Sequence, residues 1–171
     1  MYKYRITGYI DENIKSINKN VTRKLYLYDN FYEDNSQIVT RFKSDSDNCQ
    51  NAHINECKSI YQHILSKPIK SLQSNIIKLT DNYIIKPYEY EWIAVVFLNS
   101  DIPTGNGLAF MQENINSNNK IKHNDSTYIP LIIEDFFYGK PNRIIIFNSK
   151  YYHQLIVKTP ILVEIIHVKL L

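Results

Sequence analysis

The chain has 171 residues with 44% hydrophobic and 13% aromatic side chains, enough to bury one core of ordinary size and too apolar to remain disordered. Its formal charge is +3, and Lys and Arg are scattered among Asp and Glu, a pattern that does not suggest nucleic-acid binding. No apolar stretch approaches the ~20 residues of a membrane span, no apolar segment follows Met1-Tyr2-Lys3-Tyr4-Arg5, and two cysteines make no disulfide framework, so a soluble, intracellular single domain over 1–171 is expected.

Residues 3–10 and 21–28 read as short strands, the second setting Thr22, Lys24 and Tyr26 against Val21, Arg23, Leu25 and Leu27. Asp29 to Asp34 looks like a turn into a short helix that carries Ile38, Val39 and Phe42. The capping residues Ser44 to Asn48 precede Cys57, Ile60, Tyr61, Ile64 and Leu65, whose i, i+3, i+4, i+7, i+8 spacing predicts a helix over about 48–66, stopped by Pro68. Cys49, His53 and Cys57 fall four apart on one face of it. With His63 they could ligate a metal, but the spacing matches no common zinc motif, and a packed thiol at Cys57 beside two partly exposed neighbours is the plainer reading.

Ile69 to Leu72, Ile76 to Leu79 and Tyr83 to Ile85 read as short β pieces separated by Ser, Asn and Asp. Trp92 to Leu98 is a continuous apolar run typical of a strand buried on both faces. Asn99, Ser100, Asp101, Pro103, Gly105 and Gly107 then supply turn chemistry in a chain with only 4 Gly and 6 Pro, and Leu108 to Met111 is a second apolar strand. Residues 113–127 are polar and predict a loop at a sheet edge, and Tyr128 to Phe137 fits either a strand or a helix. Arg143 to Phe147, Tyr151 to Val157 and Ile161 to Leu171 are three further strands, split by Asn148-Ser149-Lys150 and Thr159-Pro160. Many short strands with helices inserted early describe a mainly β, α+β chain: an antiparallel sandwich or jelly roll. The 14 tyrosines and the visible excess of Ile, Asn and Lys point chiefly to an AT-rich coding genome, and the β-branched and aromatic bias favours sheet.

Trp92 to Phe110, set beside Tyr138-Gly-Lys-Pro-Asn-Arg-Ile-Ile-Ile-Phe-Asn-Ser-Lys-Tyr-Tyr-His153, resembles the 2-oxoglutarate and iron(II)-dependent oxygenases, in particular the small prolyl-hydroxylase-like members of bacteria and phages. Their order of aromatic, apolar strand, Pro-containing turn and Gly-rich turn is matched by Trp92, Asn99, Pro103, Gly105, Gly107 and Phe110. The later Asn-Arg pair, aromatic and histidine are matched by Asn142, Arg143, Phe147 and His153. The resemblance spans about 25–171 and implies a double-stranded β-helix, cupin-like, with a core over about 69–171 and the helical insertion 48–66 packed on it.

The family's chemistry uses two His and one carboxylate to hold Fe(II), and a basic residue on the last strand for the far carboxylate of 2-oxoglutarate. Here His153 alone matches a metal ligand by position. Lys86-Pro87-Tyr88 stands where the His-x-carboxylate is expected, with Glu89 and Glu91 as nearby carboxylates. Leu162, Val163 and Glu164 stand where the cosubstrate Arg is expected; Lys158 and Lys169 are the basic alternatives, and an acid at 164 is expected to repel a dicarboxylate.

Three readings follow. In the first the scaffold is kept and the reaction lost: no cofactor is bound, and the chain is a binding or structural module that engages a protein partner or itself, in keeping with a viral or phage accessory or particle protein. In the second it is a hydroxylase with unusual ligands, His153 with Glu89 or Glu91, that uses Fe(II) and 2-oxoglutarate. In the third it is a cupin-like sugar or small-molecule binder with a tyrosine-lined mouth, to which Tyr88, Tyr90, Tyr151 and Tyr152 could contribute. For Asn142 and Arg143 the structural reading is a turn residue and an ion-paired brace, and His167 reads as a buried strand histidine.

Overall fold

The structure, a computed structural model, describes residues 14–15, 22–23, 25–43, 47–85, 89–113, 121–123, 126–128 and 131–171. The strand expected at 3–10 lies outside them, as does Lys86-Pro87-Tyr88. The elements in order are β1 (Ile14–Lys15), β2 (Thr22–Arg23), β3 (Leu25–Tyr28), α1 (Asn35–Lys43), α2 (Asp47–Leu65), β4 (Ile69–Leu79), β5 (Trp92–Phe97), β6 (Gly107–Glu113), β7 (Ile121–His123), β8 (Ser126–Tyr128), β9 (Leu131–Tyr138), β10 (Ile144–Asn148), β11 (His153–Ile156) and β12 (Ile161–Leu170).

A five-stranded sheet ordered β3-β10-β5-β12-β4 and a three-stranded sheet ordered β11-β6-β9 form the body, and every described strand pairing is antiparallel. This is the double-stranded β-helix expected from the sequence. β5 lies mid-sheet between β10 and β12, and its two faces are covered by the helix-side layer and by the smaller sheet, which is why Trp92 to Phe97 is apolar at every position.

Strand alternation divides the core in two. Trp92, Ala94 and Val96 of β5, with Ile144 and Ile146 of β10 and Ile166 and Val168 of β12, face a layer built with Tyr28, Phe31, Ile38, Cys57 and Tyr61. Ile93, Val95 and Phe97, with Ile145, Phe147, Val163 and Ile165, face Leu108, Phe110 and Leu155 of the smaller sheet. The first layer holds the helices on the sheet. The second fills the barrel, where aromatic edges meet: Phe110 lies 5.2 Å from Phe147 and 5.8 Å from Phe137, ring centroid to centroid.

Three expectations are corrected. Ile69 to Leu79 is one strand of 11 residues, not two pieces; β12 supplies ladder partners along its whole length, so the polar Ser71, Gln73 and Asn75 continue the pairing instead of ending it. Of the third piece, Tyr83 makes a single bridge to Leu155. The polar segment 113–127 is not simply a loop, since β7 and β8 pair within and beside it as a hairpin. The large sheet also extends past the expected 69–171 core, because β3 pairs with β10 from Ile144↔Tyr28 to Phe147↔Leu25. α2 matches the predicted helix within a residue at each end, and α1 carries Ile38, which is buried against the large sheet.

Candidate functional site

The motif residues brace turns. Asn142 adopts φ 58°, and its side chain spans Tyr32: Oδ1 accepts from the Tyr32 amide at 2.9 Å and Nδ2 donates to the Tyr32 carbonyl at 2.5 Å. Arg143 donates from Nε and Nη2 to the two carboxylate oxygens of Asp29, at 2.5 and 2.8 Å, and from Nη1 to the Tyr138 carbonyl at 3.0 Å. That bidentate bond, more than the guanidinium charge, holds Asp29 below the usual carboxylate range. Asn99 Oδ1 accepts from the Leu162 amide at 2.6 Å. Gly105 has φ +93°, and a Cβ on Gly107 would stand 2.3 Å from the Phe137 carbonyl oxygen, so β6 can approach β9 there only without a side chain. Trp92 packs on the helix side, 5.9 Å from Tyr26.

Asn106, between those glycines, was not singled out by its sequence context. It is buried, donates from Nδ2 to the Pro103 carbonyl and Thr159 Oγ1, and accepts at Oδ1 from the amides of Lys158 and Thr159. Lys158 therefore lies in a turn that Asn106 braces, with an exposed side chain.

His153 opens β11 opposite Phe110 and is 5% exposed. Its Nδ1 lies 2.5 Å from the Tyr151 carbonyl, which fixes the neutral ring with the proton on Nδ1, while Nε2 has no well-formed hydrogen bond among the described residues. Burial lowers its pKa, against the opposing pull of the Tyr151 and Ile85 carbonyls and with help from His167, so the ring is neutral near pH 7. Its surroundings are apolar: the Phe147 ring is 4.7 Å away, and a groove of about 380 Å³ beside it is lined by Ile84, Ile85, Met111, Tyr151 and Tyr152.

The carboxylates proposed to join His153 are engaged elsewhere. Glu89 accepts from Lys169 Nζ at 2.9 Å, which lowers the pKa of the acid and raises that of the lysine. Glu91 Oε2 accepts from the Leu170 amide at 3.0 Å. Among the described residues no group of three or more His, Cys, Asp or Glu side chains is placed to hold a metal ion. On β12 the barrel face carries Ile161, Val163 and Ile165, followed by His167 and Lys169 toward the mouth. These residues do not fit the iron and 2-oxoglutarate that the family resemblance implies, because the imidazole meets hydrocarbon and both carboxylates already have donors.

Glu164 requires a correction. It cannot repel a ligand in the barrel, because strand alternation turns it to the helix side. There it is 0% exposed and accepts three hydrogen bonds: from Tyr32 Oη at 2.5 Å, Ser74 Oγ at 2.5 Å and His53 Nε2 at 2.7 Å. His53 is likewise buried, not partly exposed, and Cys57 Sγ lies 3.6 Å from its Nε2. Burial opposes a charge on His53, but the contacts with Cys57 and Glu164 prevail and raise its pKa to about 10. Burial and the Glu164 charge push Tyr32 well above its ordinary value. The described helix-face residues thus make a buried ion pair rather than a zinc site; the Cys49 side chain lies outside the described residues, and His63 is exposed. A carboxylate in the apolar run Ile161 to Leu171 was a legible sign that a buried partner existed, but not of which one.

The barrel mouth is different in character. A cleft of about 680 Å³ opens between the first half of β4, the end of β12 and the segment Glu89–Tyr90. It is lined by Gln73, Asn75, Tyr83, Tyr90 and His167 above a floor that includes Ile85 and Ile165. Tyr90 Oη donates to Gln73 Oε1 at 3.1 Å, and its ring lies 5.2 Å from that of His167.

No protein-family model matches the sequence, and no curated protein matches it significantly. Solved structures do match the fold. A Pseudomonas putida prolyl-4-hydroxylase superposes with a TM-score of 0.55 at 9% identity, over 85% of this chain and 84% of that one. A Burkholderia pseudomallei oxidoreductase of the 2OG-Fe(II) oxygenase family aligns over 92% of this chain and 72% of that one, with a TM-score of 0.42 at 11% identity. The likeness to the hydroxylase is one of fold: both chains are built on a double-stranded β-helix. No described helix is long and apolar enough to cross a membrane.

Proposed function

We propose that this oxygenase-fold chain has lost iron and 2-oxoglutarate binding and works as a binding module whose ligand enters the barrel mouth. The observation that supports this most is the pairing of Glu89 with Lys169: one of the two candidate metal carboxylates and one of the two candidate cosubstrate cations engage each other. The hydrocarbon filling behind them, with Val163 and Ile165 on the last strand, supports the same reading. Fold alone implies no reaction. A role as a viral or phage accessory or particle protein, acting through a protein partner or self-association, accords with the AT-biased, tyrosine-rich composition.

Metal analysis after incubation with Fe(II) or Mn(II) tests the proposal. Sub-stoichiometric metal, equal in wild type and His153→Ala, is expected, together with no succinate formed from 2-oxoglutarate. Stoichiometric metal lost in His153→Ala would overturn the proposal, and succinate formed as 2-oxoglutarate is consumed would establish the hydroxylase reading with unusual ligands instead.

A further inference from the structure

Strand β4 breaks the rule that the barrel face of a strand is apolar. Its helix-side residues Ile69, Leu72 and Ile76 pack in the core, and its barrel-side residues at the far end, Ile77 and Leu79, are apolar too. Between them Gln73 and Asn75 turn toward the barrel side and line the mouth cleft. Neither the Asn75 side chain nor the Gln73 NH2 has a hydrogen-bond partner among the described residues, although the Gln73 side-chain carbonyl accepts from the Tyr90 hydroxyl. Opposite them stand the Tyr83 ring and His167, which is 7% exposed.

Resting on the binding-module reading, we infer that this cleft binds a neutral, hydroxyl-rich ligand, a mono- or disaccharide in chemical class. Two side-chain amides, two tyrosines and an imidazole offer both donors and acceptors, which alternating hydroxyls can match. The half-buried Ile77 and the rings of Tyr83 and Tyr90 supply apolar surface for the C–H face of such a ring. The volume of about 680 Å³ lies in the usual range for small-molecule sites. An anionic ligand is disfavoured because the two cations at the rim, Lys70 and Lys169, both act on Glu89, so it would have to compete with a carboxylate already in place.

The test is an amide NMR titration of the full chain with glucose, N-acetylglucosamine and cellobiose, and separately with 2-oxoglutarate with and without Fe(II). At least one saccharide is expected to shift signals of residues 73–75 and 165–169. Gln73→Ala and Asn75→Ala, at exposed positions that should not disturb folding, are each expected to weaken that binding about five-fold, the worth of one hydrogen bond. His63→Ala on the exposed face of α2 should leave it unchanged. A response to none of the three sugars, or one that neither substitution weakens, overturns the ligand class while the binding-module reading stands on its metal analysis. Binding of 2-oxoglutarate that requires Fe(II) overturns both.

Discussion

The two faces of β12 carry opposite chemistry. On the helix side Glu164 is wholly buried and receives hydrogen bonds from Tyr32, Ser74 and His53. On the barrel side Val163 is as deeply buried within hydrocarbon, Ile165 forms part of the floor of the mouth cleft, and ionisable side chains return at His167 and Lys169. In a fold whose resemblance implies chemistry inside the barrel, the buried charge lies outside it, tying α2 and the segment after β3 to the large sheet. A carboxylate with three donors fixes how those pieces sit, whereas a hydrocarbon interior gives cohesion without a reactive group.

Removing one partner of the buried pair should have the largest effect. Glu164→Ala leaves a charged imidazole without its carboxylate and is expected to cost about 4 kcal/mol by urea denaturation. His53→Leu combined with Glu164→Leu should recover most of that loss. If the single change costs under about 1 kcal/mol, the cluster does not fasten the helices and the contrast between the faces fails.

On the barrel side Leu155→Ala should cost about 3 kcal/mol through lost burial and a cavity. A dry hydrocarbon interior also predicts that this loss is insensitive to pH between 6 and 9, which denaturation at several pH values would check.

The helix side should respond to pH over that range. His53 binds its proton up to about pH 10 when folded, while the unfolded residue releases it near pH 6.5. The native state therefore holds more protons than the unfolded state between these values, and stability falls as pH rises through the window, by about 2 kcal/mol from pH 7 to 9. Below about pH 6.5 the contribution is fully present. Measurements kept at or below pH 9 limit tyrosine ionisation, and a His53→Gln protein showing the same slope would assign it to another group.

The smallest effect is expected at Arg143→Lys. It replaces the bidentate bond to Asp29 with a point charge, and because Asp29 is partly solvated the loss should be about 1 kcal/mol, read as a shift in the urea midpoint.

Much of the frame was legible in the chain itself. The unbroken apolar run of Trp92 to Leu98 is typical of a strand covered on both sides and forms one, and the spacing behind Ser44 to Asn48 specified α2 almost to the residue. The turn signals at Asn99 to Gly107 and at Asn142 fell where Asn99, Asn142 and Gly107 now brace or permit close approach. The continuity of β4 was not legible, because Ser71, Gln73 and Asn75 resemble loop residues until β12 is beside them.

Local pattern thus marked α2 and the strands β5, β6, β10, β11 and β12, since periodicity and turn chemistry act over a few residues. Tertiary structure decided which face each residue occupies and with whom it pairs. The hydrogen bonds of Glu164 to His53 and Tyr32 join positions more than a hundred residues apart, and Glu89 meets Lys169 only because the sheet brings the end of β12 to the barrel mouth. Such contacts depend on strand order and register, which no short stretch of sequence encodes.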